Sequence, residues 1–202
     1  MEQILHDMEK EKRVYNTKIE IRNDGEAPVV RGYAAVFNSE SNDLGGFIEL
    51  IDEEAFKDVL FDDVRALIDH ESRYILGRTT SGTLRIGTDD KGLWYEYDSP
   101  KTSYANDLLE SMKRGDITQS SFGFVIAKDG DNWERKGDTT YRTINKVERL
   151  FDVSPVTYPA YNDTTVAMRS LNKIEESKTA ILEADRIERD KVLRKLDLNN
   201  YE

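Results

Sequence analysis

Cysteine is absent from the 202 residues, and histidine occurs twice, at His6 and His70. The first absence excludes disulfides, a thiolate nucleophile and every cysteine-ligated zinc or iron–sulfur site. The second leaves little material for imidazole metal centres and restricts any acid–base work by imidazole to two positions. No apolar run reaches the roughly 18 residues that a membrane span requires. The N-terminus, MEQILHDMEKEKR, carries charges where an export signal needs an apolar segment, so the expected location is the cytoplasm. Neither Gly-x-x-x-x-Gly-Lys-Ser/Thr nor a post-strand Gly-x-Gly-x-x-Gly occurs, and a formal charge of −11 opposes binding to phosphate backbones. Nucleotides and nucleic acid are therefore poor partners, and no cofactor is expected.

What is present is a hydrophobic fraction of 38%, enough for one core with an appendage. Residues 1–15 read as a charged helical arm, because Ile4, Leu5 and Met8 share a face. From Thr17 the period changes to two: KIEIR, a turn at Asn23-Asp24-Gly25, then VVRGYAAVFN, which predicts a hairpin. Asp52-Glu53-Glu54 can cap a short helix carrying Ala55, Phe56, Val59 and Leu60, and VRALI suits a buried strand ending at Asp69-His70. TLRIG and LWYEY flank a hairpin loop, and Thr102 or Ser103 can cap a helix bearing Leu108, Leu109 and Met112 that stops at Gly115. After the strand QSSFGF, a loop around DGDNWERKGDTT leads to YRTINKVERLFDVSPVTYPAY, expected as two strands with a bend at Ser154-Pro155. Residues 169–202 read as a helical extension in which Leu171, Ile174, Ile181, Leu182, Val192, Leu193 and Leu196 recur at helical spacing.

Strand parity in QSSFGF puts Phe122, Phe124 and Ile126 on the core face with Ser120, and Ser121, Gly123 and Val125 on the other. A glycine two residues past a serine leaves room for a second backbone, as a nucleophile attacking an extended peptide requires; ordinary polar residues on a half-solvated strand read the same way. His70, directly after a buried strand, is the candidate base, whereas His6 belongs to the charged arm. Asp69-His70-Glu71 lacks the helical spacing of metal-binding histidines, and Asp129-Gly130-Asp131 lacks the spacing of a calcium loop. Two acids, Glu148 and Asp152, can reach an imidazole from ERLFDVS; on a regular strand they share a face roughly 13 Å apart, so one ring cannot bond both.

Seven ordered blocks, RGYAAVFN, GGFIELIDEEAF, VRALIDH, LGRTTSGTLRI, GLWYEYDSPKT, RGDITQSSFGF and ERLFDVSPVTYPAYNDT, resemble the prohead maturation proteases of tailed bacteriophages over about residues 30 to 167. These are serine peptidases related in fold to the herpesvirus assemblins. The resemblance implies a β-rich α+β protease domain over 16–168, mostly an antiparallel barrel with surrounding helices and a long C-terminal helix. It implies His70 as general base and Ser121 as nucleophile. The family's third member is a glutamate before Val-Ser, where this chain has Asp152; Glu148 is the rival. The implied substrates are scaffold protein, the scaffolding segment of the major capsid protein, and the protease itself, inside the procapsid in the host cytoplasm, with a homo-oligomer such as a dimer as the working form. The alternative is a non-catalytic assembly module that keeps the protease fold.

Overall fold

The period-two segments pair as their spacing requires. A computed structural model describes residues 10–158 except 24 and 26, together with Glu176, Thr179, Glu183, Arg186, Ile187 and Arg189. The chain divides into two compact units, Met1–Thr164 and Thr165–Glu202. In the first, β2 (Glu20–Arg22) and β3 (Val29–Val36) form the expected hairpin, and β7 (Leu84–Thr88) and β8 (Gly92–Asp98) form another. Together they give a four-stranded antiparallel sheet of order β2-β3-β8-β7. The second sheet joins β10 (Asp131–Lys136), β11 (Thr139–Ile144) and, in parallel, β4 (Phe47–Ile51).

The third sheet carries the chemistry. Its order is β1 (Glu11–Tyr15), β9 (Gln119–Ile126), β12 (Val147–Val156), β5 (Arg65–Ile68) and β6 (Glu71–Arg78), antiparallel except for the β12/β5 pair. The helix α1 (Ser103–Arg114) buries Ala105, Leu108, Leu109 and Met112 and ends at Gly115, whose φ of 83° lets its N–H return to the Met112 carbonyl. That turn delivers the chain into β9. Phe122 and Phe124 stack at 4.6 Å between centroids, and Phe56 meets Phe122 edge-on at 5.4 Å, so β9 is pinned by aromatic packing.

Several expectations are corrected. Among the described residues the strands form three sheets rather than a closed barrel: β1 and β6 are edges there, and the chain leaves β6 through a 3-10 turn at Thr79–Ser81 and a left-handed Gly82 instead of extending its ladder. Residues 11–15 of the expected helical arm are strand β1, since pairing with β9 and burial of Glu11 and Arg13 in an ion network override local helix preference; residues 1–9 lie outside the described residues. The segment after Asp52 buries Ala55, Phe56 and Val59 as expected, but as successive turns whose amides bond carbonyls three residues back. DNWERK is strand β10, held by its ladder to β11 and by Trp133 against Phe47 at 5.0 Å. The break between the last two strands falls at Asn145-Lys146; Pro155 fits inside β12 because the β5 ladder already ends at Val153. In the second unit the six described positions are helical and exposed, and the rest of the expected long helix, with its apolar stripe, lies outside the described residues. No helix among the described residues is long and apolar enough to cross a membrane.

Candidate active site

The two serines of QSSFGF part company across β9. Ser120 points with Phe122 and Phe124 into the core, where its hydroxyl meets the Tyr95 hydroxyl at 2.8 Å. Ser121 points the other way. Its Oγ lies 2.7 Å from His70 Nε2 and 2.8 Å from the Arg13 carbonyl oxygen on β1, where Val14 is its Cα partner.

His70 reaches this point from a tight turn. Ile68 on β5 pairs with Glu71 on β6, leaving Asp69 and His70 as the two central residues, with φ of 50° and 61°. Two positive φ values in a two-residue loop define a type I′ turn, whose twist matches the flanking strands; Asp and His tolerate that conformation better than most residues. The strain is offset by anchoring. The Asp69 amide bonds the Pro155 carbonyl at 3.1 Å, and its carboxylate accepts from the Thr157 amide at 2.7 Å and the Thr157 hydroxyl at 2.8 Å. The turn is thereby tied to the end of β12, and the imidazole projects over β12 toward β9.

Asp152 completes the contact on the other side of the ring, with Oδ1 hydrogen-bonded to His70 Nδ1. Register shifts in β12, between Val147 and Arg149 and between Leu150 and Asp152, break the regular parity, so Asp152 is buried while Glu148 is exposed. Of the two acids singled out by spacing, the structure brings Asp152 to the imidazole and leaves Glu148 on the surface. Ser154 Oγ also donates to Asp152 Oδ1 at 3.1 Å, and Lys10 Nζ donates to Oδ2 at 2.7 Å. Gly123 makes space as expected, but for side chains: a β-carbon there would lie 2.5 Å from Lys10 Cε and 2.6 Å from Asp152 Oδ2. Among the described residues no group of three or more acids and histidines is placed to hold a metal ion.

The protons of this array can be counted. Burial pushes the Asp152 carboxyl up, but the bond from His70, the charge of His70 and the charge and bond of Lys10 outweigh it and hold the carboxyl at about 2. The carboxylate is therefore ionised and accepts the Nδ1 proton, which turns Nε2 to the Ser121 hydroxyl, an acceptor for it whenever that nitrogen carries no proton. The Arg13 carbonyl is a second acceptor for the same hydroxyl proton. Ser121 has no exposed surface.

The family model for caudovirus prohead serine proteases matches residues 14–179. The prohead protease of Enterobacteria phage HK97 is 30% identical over 165 residues, spanning 79% of this chain and 68% of that protein. The chain belongs to the caudovirus prohead serine protease family. It is a serine protease of the capsid-maturation type. Among solved structures, the capsid assembly protease of bacteriophage T4 aligns with a TM-score of 0.49 at 10% identity, over 76% of this chain and 99% of that one.

Two features of the protease were missed by the sequence analysis, and both lie in the stretch read as a helical arm. One is Lys10 on Asp152. The other is a buried ion network in which Arg13 bonds Glu49 at 2.5 and 2.8 Å and Glu11 at 2.5 Å, while Arg142 bonds Glu11 at 2.9 and 3.0 Å and Glu49 at 3.2 Å. This network fastens β1 to β4 and β11 and so fixes the strand beside Ser121. The residue types gave no usable signal, since Glu11-Lys12-Arg13 are three consecutive charges; the alternation is one of burial, with Glu11 and Arg13 inward.

Proposed function

We propose that the protease works by acyl transfer with Ser121 as nucleophile, His70 as general base and then general acid, and Asp152 as the residue that orients the ring. The observation that carries this reading is the placement of one imidazole between a hydroxyl at 2.7 Å and a buried carboxylate. Ser121 Oγ attacks the scissile carbonyl carbon as its proton passes to His70 Nε2, and the imidazolium gives that proton to the departing amine nitrogen. Water, deprotonated by the same ring, then hydrolyses the ester and restores the hydroxyl. Asp152 keeps the Nδ1 proton in place and stabilises the imidazolium.

The substrates in this reading are scaffold protein or the scaffolding segment of the capsid protein, and the protease itself. The setting is the assembling procapsid in the host cytoplasm, and the working form is a homo-oligomer on an assemblin-type fold. Support comes from membership of the prohead protease family and from the HK97 relative. The chain is organised in this reading as an N-terminal segment, a protease domain to residue 168 and a C-terminal extension from residue 169. The test is co-expression with the capsid protein. Ser121→Ala and His70→Ala each abolish processing while remaining folded, and normal processing by either variant refutes the assignment.

A further inference from the structure

The fold puts a second basic group on the acid of the site. Lys10 stands one residue before β1 and donates from Nζ to Asp152 Oδ2 at 2.7 Å, on the carboxylate oxygen that His70 does not use. Two strands are shaped around this contact. Gly123 on β9 is bare where a β-carbon would strike both Lys10 Cε and Asp152 Oδ2, and Phe151 on β12 presents its ring 5.0 Å from the ammonium. The Lys10 side chain is 39% exposed and the Asp152 side chain 2%, so an ammonium at the surface clamps a carboxylate that is itself out of water.

Lys12 on β1, the Cα partner of Gly123, makes no ion pair with Asp152, and the other charged groups near it bond elsewhere. Arg65, its Cα partner on β5, bonds Asp63; Arg13 on β1 bonds Glu49 and Glu11; Arg149 on β12 lies over the Phe151 ring; Asp69 in the turn bonds Thr157. Glu71 at the start of β6 pairs with Arg73. Lys10 and His70 are therefore the two basic partners of this carboxylate among the described residues.

A carboxylate bonded to imidazole favours the imidazolium, and an imidazolium cannot accept the Ser121 proton. A cation on the other oxygen withdraws part of that pull and also fixes the plane of the carboxylate. We propose that Lys10 is a positioning residue for the proteolytic reaction, holding Asp152 from the side opposite His70 so that the ring stays neutral and aimed at Ser121 in mildly acidic as well as neutral solution. This rests on the reading of His70, Ser121 and Asp152 given above.

The test compares the full-length wild type with Lys10→Met, Lys10→Arg and Ser121→Ala. With two histidines in the chain, the ring nitrogen NMR signals of His70 are identified by their loss in His70→Gln. Lys10→Met should show more imidazolium at about pH 6 than the wild type, and Lys10→Arg should match the wild type. The rate of Ser121 labelling by a fluorophosphonate should fall about three- to tenfold at about pH 6 in Lys10→Met, stay within about twofold at about pH 8.5, and recover in Lys10→Arg. Equal imidazolium fractions in wild type and Lys10→Met, or a rate loss that is the same at every pH, overturn the proposal. Labelling of Ser121→Ala at the wild-type rate instead refutes the assignment of Ser121; in that case, or where the buried Ser121 of the wild type takes no label, the NMR comparison decides Lys10 by itself. If Lys10→Met fails to fold, Lys10→Gln, which keeps a donor without the charge, reads the same effect.

Discussion

Asp152 on β12 lies directly across from Gly123 on β9, and a β-carbon at residue 123 would come within 2.6 Å of Asp152 Oδ2. The glycine in Phe-Gly-Phe therefore sets the depth at which the carboxylate sits beneath His70. It does so while its two aromatic neighbours hold the strand in the core.

Gly123→Ala follows from that contact. The methyl group must displace the Asp152 carboxylate or Lys10, so proteolysis should fall at least about tenfold, because small misplacements of a positioned group are expensive in rate. Overpacking of this kind costs about 1–3 kcal/mol, so the variant should still fold. Processing of co-expressed capsid protein and urea unfolding, measured on the same preparation, read the two effects. Wild-type processing by Gly123→Ala would show that the carboxylate position does not matter.

Asp152→Asn keeps the shape of the side chain and removes its ability to accept from Nδ1 with full charge. The expected loss of activity is about a thousandfold or more, as for an orienting carboxylate that fixes a tautomer. Glu148→Gln should process substrate at close to the wild-type rate, since Glu148 is exposed. The reverse ranking would transfer the orienting role to Glu148.

Acid stability should carry the signature of Asp152. Its folded carboxyl sits at about 2 against an ordinary value of 3.8, so between those values the unfolded chain binds more protons than the folded one. The corresponding stability is fully present above about pH 4 and is lost as pH falls through about 2. A shift of this size is worth about 2 kcal/mol. Urea unfolding of wild type and Asp152→Asn should therefore differ most near neutral pH and converge toward about pH 2.5. A gap that does not change with pH would contradict the assignment.

The buried ion network makes a separate prediction. Arg142 is 2% exposed and its loss leaves Glu11 and Glu49 with one cation between them, so Arg142→Met should destabilise the fold by about 3–5 kcal/mol. Because Glu11 and Arg13 hold β1 beside Ser121, hydrogen exchange at β1 amides should rise before exchange in β8. Protection of β1 equal to the wild type would show that the network is not what fastens this strand.

Much of this was legible in the chain. The β2/β3 and β7/β8 hairpins, the helix stopping at Gly115 and the split of Ser120 from Ser121 follow from period, turn residues and the pleat, all local rules. The errors have separate causes. DNWERK pairs with β11 a few residues on, a local hairpin around Gly137 that its density of charge hid. EKRVY is a charged strand whose stability comes from partners more than 30 residues away, and local propensity carries no information about Glu49 or Arg142. The expected barrel failed for the same reason, since closure depends on where edges meet, not on what each strand contains.

By itself the sequence determined the materials: an imidazole beside a strand end, a hydroxyl opposite the core face of β9, two eligible acids, no thiol, and seven blocks that resemble one protease family. The tertiary structure decided which acid faces the ring, because the register shifts in β12 turn Asp152 inward and leave Glu148 outside. It also decided that Lys10, 142 residues away in the chain, sits on that acid. Such pairings arise when separate strands are brought into one sheet, and register across a sheet is a property of the assembled ladder rather than of any strand alone.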